Sequence, residues 1–371
     1  MPAPVAIRAI ARGRRAGVWL GAAYPGGPMH VLLHIGSPKA GSTTIQTALR
    51  LNRAALRAEG VLAWEPDASR GPPARTLANV FTREGKPLLP RERLHFTTRA
   101  EARDWAETAW QSLADEVART RPALTVLSSE QLYEVRNIKP VLARLAAIFD
   151  GVTVLAYVRD PVSQFRSMLD QRIRDGDRFA DLPLPSVPVQ QGHVTLANWI
   201  ARLGAQRVIL RALDRQSLVG GDLVADLAAQ IGAVLGRAVQ LPEPVGMVNE
   251  SLSAAATLWL MAANEAFIRF GEGDRDLVHR RFGLLRRLES APALAGLPKL
   301  ADPPAPLCDW IRHANREAAG FFAGAGLVMP AAPEGLTLPP PEAQRAALRD
   351  WLLAHRDGAA LTRVIDAAIG E

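Results

Sequence analysis

His34-Ile35-Gly36-Ser37-Pro38-Lys39-Ala40-Gly41-Ser42-Thr43-Thr44 is the stretch that decides how this chain is read. Before it, Val31–Ile35 is a short apolar run that closes in Gly36 and reads as a buried strand. After it, Ser42 to about Leu56 reads as a helix, with Ile45, Leu49 and Leu56 on one stripe and Gly60 beyond its end. A strand that stops at a glycine, a short loop and a helix opened by three hydroxyl residues together make an anion cradle. The N–H groups of a helix's first turn have no intrahelical partner and carry partial positive charge. Ser42, Thr43 and Thr44 add side-chain donors, and Lys39 adds a full charge inside the loop. The plainer alternative is a Gly/Ser turn before an ordinary helix.

Outward from this loop the pattern alternates. Val61–Trp64, Ala123–Leu127, Val152–Val158 and Arg207–Leu210 read as further strands. Helical spacing runs over Ala100–Thr120, Val141–Phe149, Pro161 to about Asp175 and Leu196–Leu203. Alternation of this kind predicts an α/β fold, a central parallel sheet of about five strands between two helical layers. Beyond about residue 215 the signal is helical, near 222–234, 253–269, 308–323 and 342–355. Residues 65–98, rich in Pro, Arg and Gly, read as a long excursion over the surface. There is no internal repeat and no clean linker, so residues 29–371 are read as one α/β domain with a helical C-terminal part. Residues 1–28 hold four arginines and no acid. They are expected to be a disordered extension or the product of a start placed too early, with Met29 just before the first strand.

A second segment pairs with the first. Val154-Leu155-Ala156-Tyr157-Val158-Arg159-Asp160-Pro161 runs from the strongest strand of the chain into a helix. Asp160 suits the N-cap and Pro161 the first helical position. Arg159 therefore stands at the carboxyl end of a central strand, where open α/β sheets bind ligands. Ser163 and Ser167, four apart, share a helix face. Taken singly, Arg159 reads equally as a salt-bridge partner and Ser167 as a hydroxyl bonded to its own helix.

Composition narrows the classes. Apolar residues make up 48% of the 371, enough for a sizeable core. One cysteine, Cys308, excludes an internal disulfide and a cysteine-rich metal site, and fits a reducing, cytoplasmic location. No apolar run is long enough to span a bilayer. The net charge of +7 is carried by arginine, with lysine only at 39, 86, 139 and 299. Coding bias accounts for this as well as an anion-attracting surface does, and no nucleic-acid-binding motif accompanies it.

The spacing of Gly36 and Gly41 matches the ATP/GTP loop G-x-x-x-x-G-K-[ST], but Ser42 stands where that loop has its lysine. Pro38-Lys39-Ala40-Gly41-Ser42-Thr43 instead resembles the 5′-phosphosulfate loop of the sulfotransferase family, roughly P-K-[SA]-G-[ST]-[ST]. Arg159-Asp160-Pro161, with Ser167 eight residues after the arginine, resembles that family's 3′-phosphate site. The resemblance covers about residues 29–270 and extends weakly to Val208–Gly232 and to Asn249-Glu250-Ser251-Leu252-Ser253. It implies a fold like that of P-loop nucleoside-triphosphate hydrolases. It also implies the donor 3′-phosphoadenosine 5′-phosphosulfate, with Lys39 at the transferring sulfuryl group and its bridging oxygen. Pro38, Lys39, Ala40, Gly41, Ser42, Thr43 and Thr44 would line the 5′ side, and Arg159 and Ser167 the 3′-phosphate. Cytosolic small-molecule members complete the 3′ site with an R-K-G segment. None is present here, and the nearest basic cluster, Arg280-Arg281-Phe282-Gly283, is not read as its replacement. The bacterial and carbohydrate-type members are the better match.

Such chemistry needs cationic support for the leaving phosphate and a base for the acceptor. It needs no metal. Glu130, at the exit of the third strand in Ser128-Ser129-Glu130, is the candidate base, with a capping or salt-bridging acid as the alternative. His34 reads as a packed structural histidine, and Trp105, Trp110, Trp199 and Trp259 as packing residues. A P-loop nucleotide kinase and a non-catalytic nucleotide-binding protein are the competing readings. The acceptor, a small molecule or glycan, is not legible, and neither is the oligomeric state.

Overall fold

The computed structural model describes residues 29–66, 77–89, 92–189, 192–245, 251–266 and 275–369. Five strands, β1 (His30–His34), β2 (Val61–Ala63), β3 (Leu124–Ser128), β4 (Gly151–Val158) and β5 (Val208–Ala212), form one sheet in the order β2-β3-β1-β4-β5. Every pairing is parallel. Val31 and Leu33 of β1 and Val152, Val154, Ala156 and Val158 of β4 feed one buried cluster, while Leu32, Leu155 and Tyr157 feed another on the opposite face. This two-residue alternation of apolar side chains is what a strand covered on both faces requires.

The helices cover both faces. On the first lie α3 (Arg99–Thr120), α4 (Lys139–Ala146), α6 (Gly192–Leu203) and α11 (Arg316–Gly324). On the second lie α1 (Ser42–Leu51), α2 (Arg53–Ala58) and α7 (Leu223–Leu235). The expected three-layer α/β/α architecture and its five parallel strands are therefore present.

A third apolar cluster sits beside the sheet. Its spine is α5 (Pro161–Asp175), whose Val162, Phe165, Leu169 and Ile173 form one stripe. Packed on it are α8 (Ala254–Ala266), α9 (Arg275–Ser290), α10 (Ala305–Ala314), α12 (Pro341–Leu353) and α13 (Gly358–Ile369). The chain leaves β1 toward β2 and leaves β4 toward β5, in opposite directions. The crevice at the carboxyl ends of β1 and β4 is thus the topological switch point of the sheet, the place where such sheets take ligands.

Three expectations need correction. The helix expected over Ser42 to Leu56 breaks at Asn52, and that expected over 308–323 breaks at Asn315. Both asparagines are buried and bind distant backbone. Asn52 exchanges hydrogen bonds with the main chain of Glu243, and Asn315 accepts from the amide of Val189. Each also donates to the carbonyl four residues earlier, which bends the helix at that point. The excursion at 65–98 is not wholly superficial. Leu77 and Ala78 are buried, the Leu77 carbonyl accepts from the Trp110 indole at 2.9 Å, and the buried Glu92 pairs with the half-buried Arg99 at 2.9 Å. Helices α9 and α13 were not expected, and α9 is argued below. Residues 1–28 and Asn249-Glu250 lie outside the described residues.

Candidate active site

The loop between β1 and α1 is held in an unusual backbone shape. Gly36, Lys39 and Gly41 all have positive φ, at 52°, 63° and 82°. A Cβ at Gly36 would stand 2.5 Å from Ser42 Oγ, and one at Gly41 would stand 2.4 Å from Leu223 Cδ2, so a side chain at either would displace a neighbour as well as adopt a strained φ. Lys39 has no such excuse. A lysine in the left-handed region costs energy that the surrounding structure must cover, a pattern typical of functional loops. Ala40 is fully buried beneath the loop, Pro38 and Lys39 are half-buried, Thr43 is exposed and Thr44 is half-buried. Ser42 is buried, and its hydroxyl has no hydrogen-bond partner.

Helix α5 lies along this loop. Its apolar stripe faces the C-terminal cluster, and its opposite face carries Ser163, Gln164, Ser167 and Gln171. Asp160 caps it, accepting from the amide of Ser163 at 2.9 Å. Arg159 donates from Nε to Ser163 Oγ at 2.7 Å and from Nη1 to the Lys39 carbonyl at 3.1 Å. Burial and the neighbouring Arg166 lower its pKa, opposed by Asp160. Gln164, 2% exposed, donates to Ser37 Oγ at 3.3 Å and to the Pro38 carbonyl at 3.1 Å. Lys39 Nζ donates to Gln171 Oε1 at 2.7 Å. Ser167, half-buried, sits between these two glutamines on the same helix face.

The third wall is the turn Glu130–Tyr133 that follows β3. Ser128 is paired in register with His34, and the Ser129 amide donates to the His34 carbonyl at 2.9 Å, so Glu130 starts beside the root of the loop. Glu130 is half-buried. Tyr133 is buried, and its hydroxyl faces Ser37 without a well-formed hydrogen bond. Burial pushes its pKa up to about 12, against the influence of Ser37. Its ring fills the space that a side chain at Gly192 would occupy, since a Cβ there would stand 1.7 Å from Tyr133 Cε1. Behind the loop, His34 is fully buried. Its Nδ1 lies 2.8 Å from Ser128 Oγ, its Nε2 has no partner, and burial lowers its pKa to about 3. It is the packed, neutral histidine that the sequence suggests.

Of the residues predicted from sequence, Pro38 to Thr44 form the loop after β1, Arg159 bonds its Lys39 carbonyl, Ser167 lies on α5 between the two glutamines that bond the loop, and Glu130 opens the turn after β3. Ser37, Tyr133, Gln164 and Gln171 were missed. The glutamines carried a signal, seven residues apart on the polar face of an otherwise amphipathic helix. Tyr133 carried none, because only the fold brings it to Ser37. Arg281, in the basic cluster set aside above, is a structural cap. It is buried and donates to the carbonyls of Arg174 and Ile173 at 2.6 and 2.7 Å, closing the C-terminus of α5.

These features define an α/β protein with a glycine- and hydroxyl-rich strand-to-helix loop at the switch point of a parallel sheet. No family model and no curated protein sequence matches the chain. Among solved structures it is similar to the sulfotransferase domain from the Synechococcus PCC 7002 olefin synthase, at 14% identity over 70% of this chain and 96% of that one, with a TM-score of 0.35. It is also similar to the sulfotransferase domain from the curacin biosynthetic pathway, at 13% identity over 80% and 99%, with a TM-score of 0.37.

Proposed function

We propose that this chain is a sulfotransferase of the bacterial, carbohydrate-type branch that takes a sulfuryl group from 3′-phosphoadenosine 5′-phosphosulfate and transfers it to an acceptor hydroxyl on a small molecule or glycan. The observation that carries the reading is the hydrogen bond from Arg159 to the Lys39 carbonyl. It joins the two anion-binding segments along one edge, so a single nucleotide with phosphates at both ends of its ribose is the ligand that uses both. The residues also fit such a donor by their chemistry. Ser42 has a buried hydroxyl with unused hydrogen-bonding capacity, Lys39 and Arg159 are cationic, and helix α1 directs its free amides into the loop.

In this reading the loop amides with Ser42, Thr43 and Thr44 bind the 5′-phosphate, and Arg159 with Ser167 binds the 3′-phosphate. The donor supplies the sulfuryl group. Its S–O bond to the 5′-phosphate breaks while a new S–O bond forms to the acceptor oxygen. Lys39 balances the charge left on the phosphate oxygen, and Glu130 takes the acceptor's proton. The kinase alternative wants a lysine at position 42, where the chain has serine, and so has less support.

Calorimetry with 3′-phosphoadenosine 5′-phosphate, ATP and ADP tests the reading, with the 3′-phosphorylated nucleotide expected to bind tightest. A preference for ATP turns the assignment to a kinase. Glu130→Gln is expected to slow transfer and leave nucleotide binding nearly unchanged. Equal loss of both identifies a structural acid.

A further inference from the structure

We propose that Gln171, held by Asp175, is the positioning residue for the Lys39 ammonium, an inference that rests on the sulfotransferase reading for its consequence but not for its geometry. Lys39 Nζ donates to Gln171 Oε1 at 2.7 Å, and Gln171 Nε2 donates to Asp175 Oδ1 at 2.7 Å. The orientation of the amide is dictated by its partners. A lysine only donates and a carboxylate only accepts, so the oxygen must face Lys39 and the nitrogen Asp175.

The helix that carries these two residues is anchored at its end. Gln171 and Asp175 are one turn apart near the end of α5. That end is closed by Arg281 and by Asn264, which donates to the carbonyls of Ile173 and Asp177 at 2.9 and 2.8 Å. The left-handed backbone at Lys39 presents the side chain to this face.

An amide is the fitting partner. A free lysine side chain carries rotamer entropy, which a fixed acceptor removes before the donor arrives. A carboxylate in the same place would fix the ammonium equally well but would cancel its charge and repel the incoming phosphates. Two acids of α5 lie on the Lys39 side of the helix or beside it. Asp170 is paired with Arg174 at 3.0 Å, and Asp175 lies in the field of Arg281 with the Gln171 amide between it and the ammonium. Gln171 therefore holds Lys39 without itself neutralising the ammonium.

The test uses the full chain labelled with ¹³C,¹⁵N-lysine, in which only four lysines give signals and Lys39→Ala assigns one of them. Each variant is also checked by its melting temperature. In the wild-type protein Lys39 is expected to show an ordered side chain. In Gln171→Met, which keeps length and loses the acceptor, the Lys39 signal is expected to shift and its side chain to gain mobility with the fold retained. Asp175→Ala is expected to move it part of the way, and to add nothing on top of Gln171→Met. Gln171→Glu is expected to keep Lys39 ordered and to weaken binding of 3′-phosphoadenosine 5′-phosphate by about tenfold or more. A Lys39 signal unchanged in folded Gln171→Met overturns the proposal, as does undiminished nucleotide affinity in Gln171→Glu. If the wild type fails to bind the nucleotide while Gln171→Met still frees Lys39, the positioning role stands and the sulfotransferase reading falls.

Discussion

Two polar assemblies are buried at β4, and they are built on opposite principles. On the α7 side, Asp226 is fully buried and saturated. It accepts from the Tyr157 hydroxyl at 2.8 Å, from Nε of Arg211 at 3.1 Å, from Nη2 of the same arginine, and from the Val219 amide at 3.2 Å. Burial and the adjacent carboxylate push the Tyr157 phenol far up, so it stays a donor. At the carboxyl end of the strand, the loop around Lys39 is the reverse. Ser42 Oγ, Asp160 Oδ1 and Gln164 Oε1 are buried without partners, and the backbone is strained. A protein that can saturate a buried carboxylate in one place has no general difficulty in doing so. In the proposed reading the unused Ser42 hydroxyl is the part of this capacity that an anionic ligand would take up.

The largest effect that sharpens this contrast is expected from Lys39→Ala. Removing the charge that supports the leaving phosphate should lower turnover by about a thousandfold, or ~4 kcal/mol, with little change in melting temperature. Steady-state kinetics beside thermal unfolding separates the two. Asp226→Ala should do the converse. It leaves Arg211 and Tyr157 without their partner in the interior and should cost about 3 kcal/mol of stability, read by urea unfolding, while nucleotide affinity of the folded protein stays close to wild type. A loss of affinity equal to the loss of stability would mean the two assemblies are one.

This division also explains what the sequence disclosed. All five strands were legible because each is a short apolar run with a turn signal, as at Val31–Ile35. Helix α5 was legible at both ends, from Asp160-Pro161 to the glycine at 176. The loop was legible because its residue types are local: glycines, hydroxyls and one rare lysine. What stayed hidden depends on contact over distance. Asn52 and Asn315 break their helices to bind backbone far away in sequence. Helix α9 was missed because Arg281, buried as a cap for another helix, interrupts its apolar stripe. Tyr133 joins the candidate site only through packing that no local pattern encodes.

His34 lies between the two assemblies, and acid should expose it. Its ring is held neutral by burial, with the pKa lowered from 6.5 to about 3. The unfolded chain takes up the proton and the folded one does not, so stability is intact above pH 6.5 and falls as pH drops toward 3. Between pH 7 and pH 5 the loss from this residue should be about 2 kcal/mol. His30, shifted down by burial and Arg207, adds in the same direction. Urea unfolding at the two pH values checks the slope, which His34→Gln should flatten.

The smallest effect is the most discriminating, because its two halves have opposite signs. Ser42 Oγ is buried without a partner, and it stands 2.5 Å from where a Cβ at Gly36 would be. An unpaired buried hydroxyl costs free energy, so Ser42→Ala should leave the nucleotide-free protein equally stable or raise it by up to about 1 kcal/mol. The same change should weaken 3′-phosphoadenosine 5′-phosphate by about tenfold, because a hydrogen bond to a charged phosphate is among the stronger ones. Thermal unfolding without nucleotide and calorimetry with it read the two halves. If the variant instead loses stability without nucleotide, the hydroxyl is part of the protein's own scaffold, and the loop is no more reserved for a ligand than the saturated carboxylate at Asp226.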